Sequence, residues 1–78
     1  MTLDLFSRVV LTRDIPEEGL CRGDVGTIVE KYSDSLGNVI GLELELFSAN
    51  GSTLAVASVP VDAVRAPTAA DRLATRAG

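Results

Sequence analysis

The residues VIGLELELF at positions 39–47 and TLAVASV at positions 53–59 decide the fold of this chain. Within the first stretch, apolar side chains alternate with Glu43 and Glu45, and a period of two is typical of a β-strand with one buried face. The apolar residues predicted to share that buried face are Ile40, Leu42, Leu44 and Leu46. We therefore expect the two stretches to pair as neighbouring strands of one sheet.

The segment that joins these stretches, SANGS at 48–52, contains the pair Asn50-Gly51. Both residues tolerate positive φ, and the pair is a strong short-range signal for a β-hairpin turn. Asn50 and Gly51 are accordingly predicted to be structural turn residues.

Two more strands are predicted before the hairpin. The first covers 6–12, where Val9 and Leu11 share one face, and the second covers 25–32, which is rich in β-branched residues. A turn at 34–38 closes the connection from the second strand to the hairpin.

A long polar loop separates the first two strands. It runs over 13–24, and Gly19 and Gly23 are predicted turn positions within it. Ile15 and Leu20 are its apolar residues, and we expect them to anchor it to the core. Gly26 lies inside the following strand, where a glycine suggests a bulge or a sharp bend.

The C-terminal part of the sequence predicts a short finish to the sheet. Pro60 ends the fourth strand, 61–64 fits a single 3-10 turn, and a short last strand follows at Arg65. We thus predict a mainly β domain over 1–66, a small five-stranded barrel with a long first loop, whose closure would remove exposed edges. The tail at 67–78 is expected to fray or to form a short helix.

Composition limits the chain to a small domain without covalent support. It has 78 residues, no histidine and one cysteine, Cys21, so an internal disulfide is impossible and a reducing, cytoplasmic setting is expected. No apolar run approaches the length of a membrane span, and no membrane partner is expected. The net charge of −4 opposes the basic surface that nucleic-acid binders present, which argues against nucleic acid as a partner.

The central sequence closely resembles one bacterial protein family. The run VVLTRDIPEEGL at 9–20 continues into RGDVGTIVE at 22–30, and LELF at 44–47 and the pair Val59-Pro60 follow. In these residues the chain resembles the family known as domain of unknown function 4926. The resemblance implies a Src-homology-3-like barrel and brings no established activity. Ser7 stands where the family usually has an aspartate, which implies a weaker local turn contact.

An acidic strand face is the candidate site for a partner. Glu43 and Glu45 project from one face about 7 Å apart, and the neighbouring strand is expected to add Glu30 or Tyr32. An apolar residue rimmed by carboxylates suits a basic partner, although exposed charges more often only solvate a surface. The candidate partner-contact residues are Glu30, Tyr32, Glu43, Glu45 and Phe47.

No catalytic, cofactor or metal site is predicted. The spacing of Gly19, Gly23 and Gly26 superficially resembles a phosphate-binding loop, but a strand follows instead of a helix and the Lys-Ser/Thr pair is missing. Cys21 beside Arg22 has neither a histidine nor a second cysteine to support catalysis or metal binding.

These observations favour a non-enzymatic protein-interaction module. One hypothesis is protein binding, either as a homodimer or as the acidic partner of a basic protein such as a bacterial toxin. The alternative is an accessory subunit or domain of an enzyme complex. An RNA-binding barrel ranks below both. Such a barrel needs several aromatic and cationic side chains, and the sequence offers few of them, namely Tyr32, Lys31 and Arg22.

Overall fold

The structure, a computed structural model, describes residues 3–47 and 54–69 of the chain. These residues contain five antiparallel strands and two 3-10 turns. In chain order the elements are β1 (Arg8–Leu11), η1 (Pro16–Glu18), β2 (Val25–Ser33), β3 (Val39–Phe47), β4 (Leu54–Pro60), η2 (Val61–Ala63) and β5 (Val64–Arg65). The predicted mainly β, five-stranded fold is confirmed.

The strands are hydrogen-bonded in the order β4-β3-β2-β1-β5, and the sheet curls into a half-barrel. The first and last strands are neighbours in this order, because β1 pairs with β2 on one side and with β5 on the other. Beyond β1, the backbone N–H of Thr12 donates to the carbonyl oxygen of Ala63 at 2.8 Å. The strand β1 is therefore an interior strand, and β4 and β5 are the edges.

The concave side of the half-barrel carries the hydrophobic core. Its residues come from every strand, from the first loop and from η2, and none of the buried residues in the described ranges is polar or charged. The alternation in β3 supplies its centre, with Leu42 and Leu44 fully buried and Leu46 nearly so. Ile15 and Leu20 are also buried and bridge to each other, which confirms that they anchor the first loop.

The prediction that Ile40 shares the buried face of β3 is wrong. Its side chain is 55% exposed, and Val39 packs against the core instead. The cause is an irregularity in the pairing of β2 with β3, where Tyr32 lies opposite Gly41 but Ser33 lies opposite Val39. Ile40 is the extra residue, and one extra residue moves the side chains beyond it to the other face.

The first strand begins two residues later than predicted. Phe6 has a φ of +68°, a left-handed conformation that interrupts an extended strand and is uncommon outside glycine. Its backbone N–H donates to the carbonyl oxygen of Ile28 at 2.6 Å. In the same turn, the Ser7 hydroxyl donates to the carbonyl oxygen of Asp4 at 2.6 Å. The family resemblance implied a weaker turn contact at Ser7, and the serine side chain nevertheless supports the turn.

The glycines of the loop and of β2 have different structural roles. Gly19 ends η1 and Gly23 lies in the turn before β2, with φ values of +71° and +92°. Gly26, expected at a bulge or bend, lies opposite Val9 in regular pairing. The irregularity of β2 falls further along, between Ile28 and Glu30.

The end of the sheet follows the predicted order, with η2 directly before β5. The predicted turn residues Asn50 and Gly51 lie outside the described residues, as does the tail beyond residue 69. The antiparallel pairing of β3 with β4 nevertheless continues to Phe47 opposite Leu54. Among the described residues, no helix is long and apolar enough to cross a membrane.

Candidate functional site

The convex face of β2, β3 and β4 gathers the carboxylates that the sequence singled out. Residues directly opposite each other on antiparallel strands point to the same side of a sheet. The pairings therefore form three cross-strand rows on this face, and we call the surface they form the outer face. Its rows are Thr27–Glu45–Val56, Glu30–Glu43–Ser58 and Tyr32–Gly41–Pro60.

The middle row places two carboxylates directly opposite each other. Glu30 pairs with Glu43, although Ile28 pairs with Leu44, so Val29 is the extra residue of a β-bulge. Without that bulge, the strict alternation of β2 would turn Glu30 toward the same side as Ile28. The β-carbons of such a pair lie about 5 Å apart, and like charges in this position are destabilising.

Tyr32 orients one of these carboxylates. Its hydroxyl donates a hydrogen bond of 2.6 Å to Oε1 of Glu43. This hydrogen bond, together with slight desolvation and the negative charges of Glu43 and Glu30, raises the pKa of Tyr32 above its usual value. The ring lies against Gly41, because a β-carbon added at Gly41 would be 3.8 Å from Cδ2 of Tyr32.

No basic side chain forms an ion pair with the carboxylates of the outer face in the described part of the chain. The ion pair present there joins Arg13 to Asp62 at 3.1 Å, and both of these side chains are exposed. Lys31 follows Glu30 in β2 but lies opposite the buried Leu42, on the other side of the sheet. The same face also carries Arg8 of β1, which lies opposite Thr27 in the row of Glu45. The outer face is therefore acidic around Glu30 and Glu43, and its carboxylates form no ion pair among these residues.

Two carboxylates of the first loop accept hydrogen bonds from backbone N–H groups of that loop. Asp14 accepts the N–H of Arg22 at 2.8 Å, and Asp24 accepts the N–H of Cys21 at 2.9 Å. These bonds hold the long first loop in shape. On the outer face, Glu30 also accepts a backbone N–H, that of Lys31 at 3.0 Å, but this bond lies within β2 and closes no turn.

The structure brings together four of the five predicted contact residues, namely Glu30, Tyr32, Glu43 and Glu45. The fifth, Phe47, lies at the end of β3, and its side chain is outside what the structure describes. Sequence reasoning missed Val56, which is 53% exposed beside Glu45. The alternation of β4 was the available signal, because Ala57 and Val59 on the other face are buried.

Neither the cysteine nor any acidic group forms a metal centre in residues 3–47 and 54–69. Cys21 is exposed and unpaired with another cysteine, and no three potential ligands come together there. The chemistry that the outer face offers is therefore electrostatic attraction and hydrogen-bond acceptance by carboxylates, next to the partly exposed Tyr32 ring.

Comparison with known proteins identifies a family. A family model described as "Domain of unknown function (DUF4926)" matches residues 5–66, a range that contains all five strands. No curated protein and no solved structure matches the chain.

Proposed function

The chain belongs to the family of domains of unknown function DUF4926, and we propose that it is a non-enzymatic protein-interaction module that binds a basic partner through its outer face. The observation that carries the proposal is the direct opposition of Glu30 and Glu43, with Tyr32 bonded to Glu43.

This arrangement costs folding stability and offers binding energy. Opposed like charges disfavour the folded sheet, and a partner that places a lysine or arginine between Glu30 and Glu43 would remove that cost. The hydrogen bond from Tyr32 fixes the Glu43 carboxylate in one position, so less side-chain freedom remains to be lost on binding. An arginine suits such a site well because its planar group binds a carboxylate through two parallel hydrogen bonds.

The net charge of the chain supports the same choice of partner. At −4, the chain attracts basic proteins over a distance of about one Debye length, which raises the association rate. A second copy of this chain would bring carboxylates against carboxylates at the outer face, so the outer face suits a different, basic protein. Both a toxin-like partner and a basic subunit of an enzyme assembly satisfy this chemistry.

Charge reversal with a matched control tests the proposal. The variant Glu43→Lys/Glu45→Lys reverses two charges of the outer face, and Glu17→Lys/Glu18→Lys makes the same net change on η1, in the first loop. With a synthetic oligo-lysine peptide as the probe, titrated at low ionic strength, we expect the outer-face variant to weaken binding at least about tenfold more than the loop variant. Equal loss of binding in both variants would mean that only net charge matters.

The natural partner is then identified by purifying the tagged chain from its host under gentle lysis, followed by mass spectrometry. We expect a stoichiometric basic protein that the outer-face variant no longer retains and the loop variant still does. A large enzyme complex retained in the same pattern would identify the accessory-subunit role. Retention of the partner by the outer-face variant, with its fold verified by circular dichroism, would overturn the proposal.

A further inference from the structure

The edge strand β4 lacks the features by which sheet edges usually avoid pairing with other chains. Exposed edges are protected by charged residues, proline, bulges or very short length. Residues 54–59 contain no charge and no proline, and Pro60 comes only at the end of the strand. The pairing of β4 with β3 runs without irregularity over all seven residues.

The opposite edge of the sheet is protected in the usual way. The strand β5 has only two residues, and one of them is Arg65. In β4, by contrast, alternate residues direct their N–H and C=O groups away from β3. In the described part of the chain, no strand or loop backbone pairs with that side of β4.

We propose that β4 is a homodimerisation edge, at which two copies pair antiparallel around a twofold axis at Ala57. An antiparallel edge is complementary to itself, since the donors and acceptors of one copy meet the acceptors and donors of the other. Pairing about Ala57 places Val56 opposite Ser58 of the partner subunit and Ala55 opposite Val59 of the partner subunit. The two sheets then continue as one sheet of ten strands.

Charge distribution favours a second copy as the occupant of this edge. A basic protein would find no carboxylate on β4 itself, whereas two uncharged edges meet without repulsion. The Glu43 and Glu45 side chains on β3 would lie three strand spacings from those of the partner, about 14 Å. That separation exceeds the Debye length of about 8 Å at physiological ionic strength, so the acidic outer faces do not oppose dimer formation.

The mass of the purified chain in solution tests this proposal without any other protein. By sedimentation equilibrium from about 10 µM to about 1 mM, where weak interfaces dissociate, we expect a concentration-dependent approach to twice the chain mass of 8.2 kDa. The variant Val56→Glu adds one carboxylate to each copy, and the proposed register places the two as diagonal neighbours across the edge, about 7–8 Å apart. We expect their repulsion, and the cost of bringing a charge into the interface, to raise the dimer dissociation constant at least about tenfold. Raising the salt concentration should restore part of the loss, because the added repulsion is screened.

Leu36→Glu is the matched control, because Leu36 is 85% exposed in the turn between β2 and β3, away from the edge. It should leave the dimer unchanged. Equal weakening by both variants, or a wild-type chain that stays monomeric throughout, would overturn the proposal. Circular dichroism of Val56→Glu separates loss of pairing from loss of folding.

Disulfide trapping gives a second measurement that does not depend on stability. In a Cys21→Ser background, one protein carries Val56→Cys and a second carries Ser58→Cys, both at exposed positions. We expect the equimolar mixture to form a cross-linked dimer faster than either protein alone, because the proposed register places these two positions opposite each other. The Leu36→Cys variant in the same background is the control. If the mixture cross-links no faster than this control, pairing through β4 is contradicted.

Discussion

Gly26 lies so close to Leu44 that a β-carbon on the glycine would approach Cβ of Leu44 to 3.1 Å. The same atom would lie 3.2 Å from Cγ of Leu46 and 3.3 Å from the carbonyl oxygen of Glu45. The close contact between β2 and β3 therefore depends on the absence of a side chain at this position.

Gly26→Ala is expected to destabilise the fold by about 1–3 kcal/mol, the usual cost of forcing an extra methyl group into a packed core. Gly41→Ala is the control, since its β-carbon would meet the carbonyl oxygen of Val59 at 3.5 Å and otherwise only Tyr32. Chemical denaturation followed by circular dichroism gives both values. Equal stability of Gly26→Ala and Gly41→Ala would refute the close-packing explanation.

Tyr32 is expected to ionise only above its usual pKa of about 10, because its proton is held by Glu43. The chain has one tyrosine and no tryptophan, so phenolate absorbance during an alkaline titration reports this group alone. A raised pKa in the folded state contributes stability that is present below about pH 10 and is lost as the pH rises through the folded-state pKa.

Replacing the carboxylate tests the cause of this shift. Glu43→Gln should lower the pKa of Tyr32 toward its usual value, whereas Glu45→Gln should leave it unchanged. An identical titration curve in Glu43→Gln would show that the hydrogen bond to Glu43 does not form in solution.

Asp34 is expected to make the fold sensitive to acid. Its carboxylate accepts the N–H groups of Asn38 at 3.0 Å and Leu36 at 2.9 Å, and these bonds lower its pKa. A lowered pKa contributes stability that is present above the usual value of about 4 and is lost as the pH falls through the folded-state pKa.

Denaturation midpoints of wild type and Asp34→Ala should therefore differ at neutral pH and converge in acid. Glu17→Ala, which removes an exposed carboxylate from η1, serves as the control and should show no such convergence. A difference between wild type and Asp34→Ala that stays constant down to the lowest pH would exclude the carboxylate as its source.

The regular parts of the sheet could be predicted because burial repeats every second residue there. Leu42, Leu44 and Leu46 follow that rule, and their burial placed Glu43 and Glu45 together on the outer face. The alternation carries no information about where an extra residue enters a strand.

The two irregularities between β2 and β3 could not be predicted from the alternation of apolar and polar residues. One moves Ile40 out of the core, and the other brings Glu30 opposite Glu43. Both depend on how two strands align, which is a property of the pair and is not visible in either sequence alone. The predicted start of β1 was wrong for a different reason. The positive φ that interrupts the strand falls on Phe6, and no glycine or asparagine stands there to indicate it in the sequence.

The pairing of Leu11 with Val64 also sets the earliest time at which the sheet can be completed during synthesis. At a synthesis rate of about 5–20 residues per second, the ribosome needs several seconds to add the chain between these two residues. Until then β1 has a partner on only one side. The nascent sheet must therefore remain incomplete, with one side of its first strand unpaired, until the residues of β5 have been synthesised.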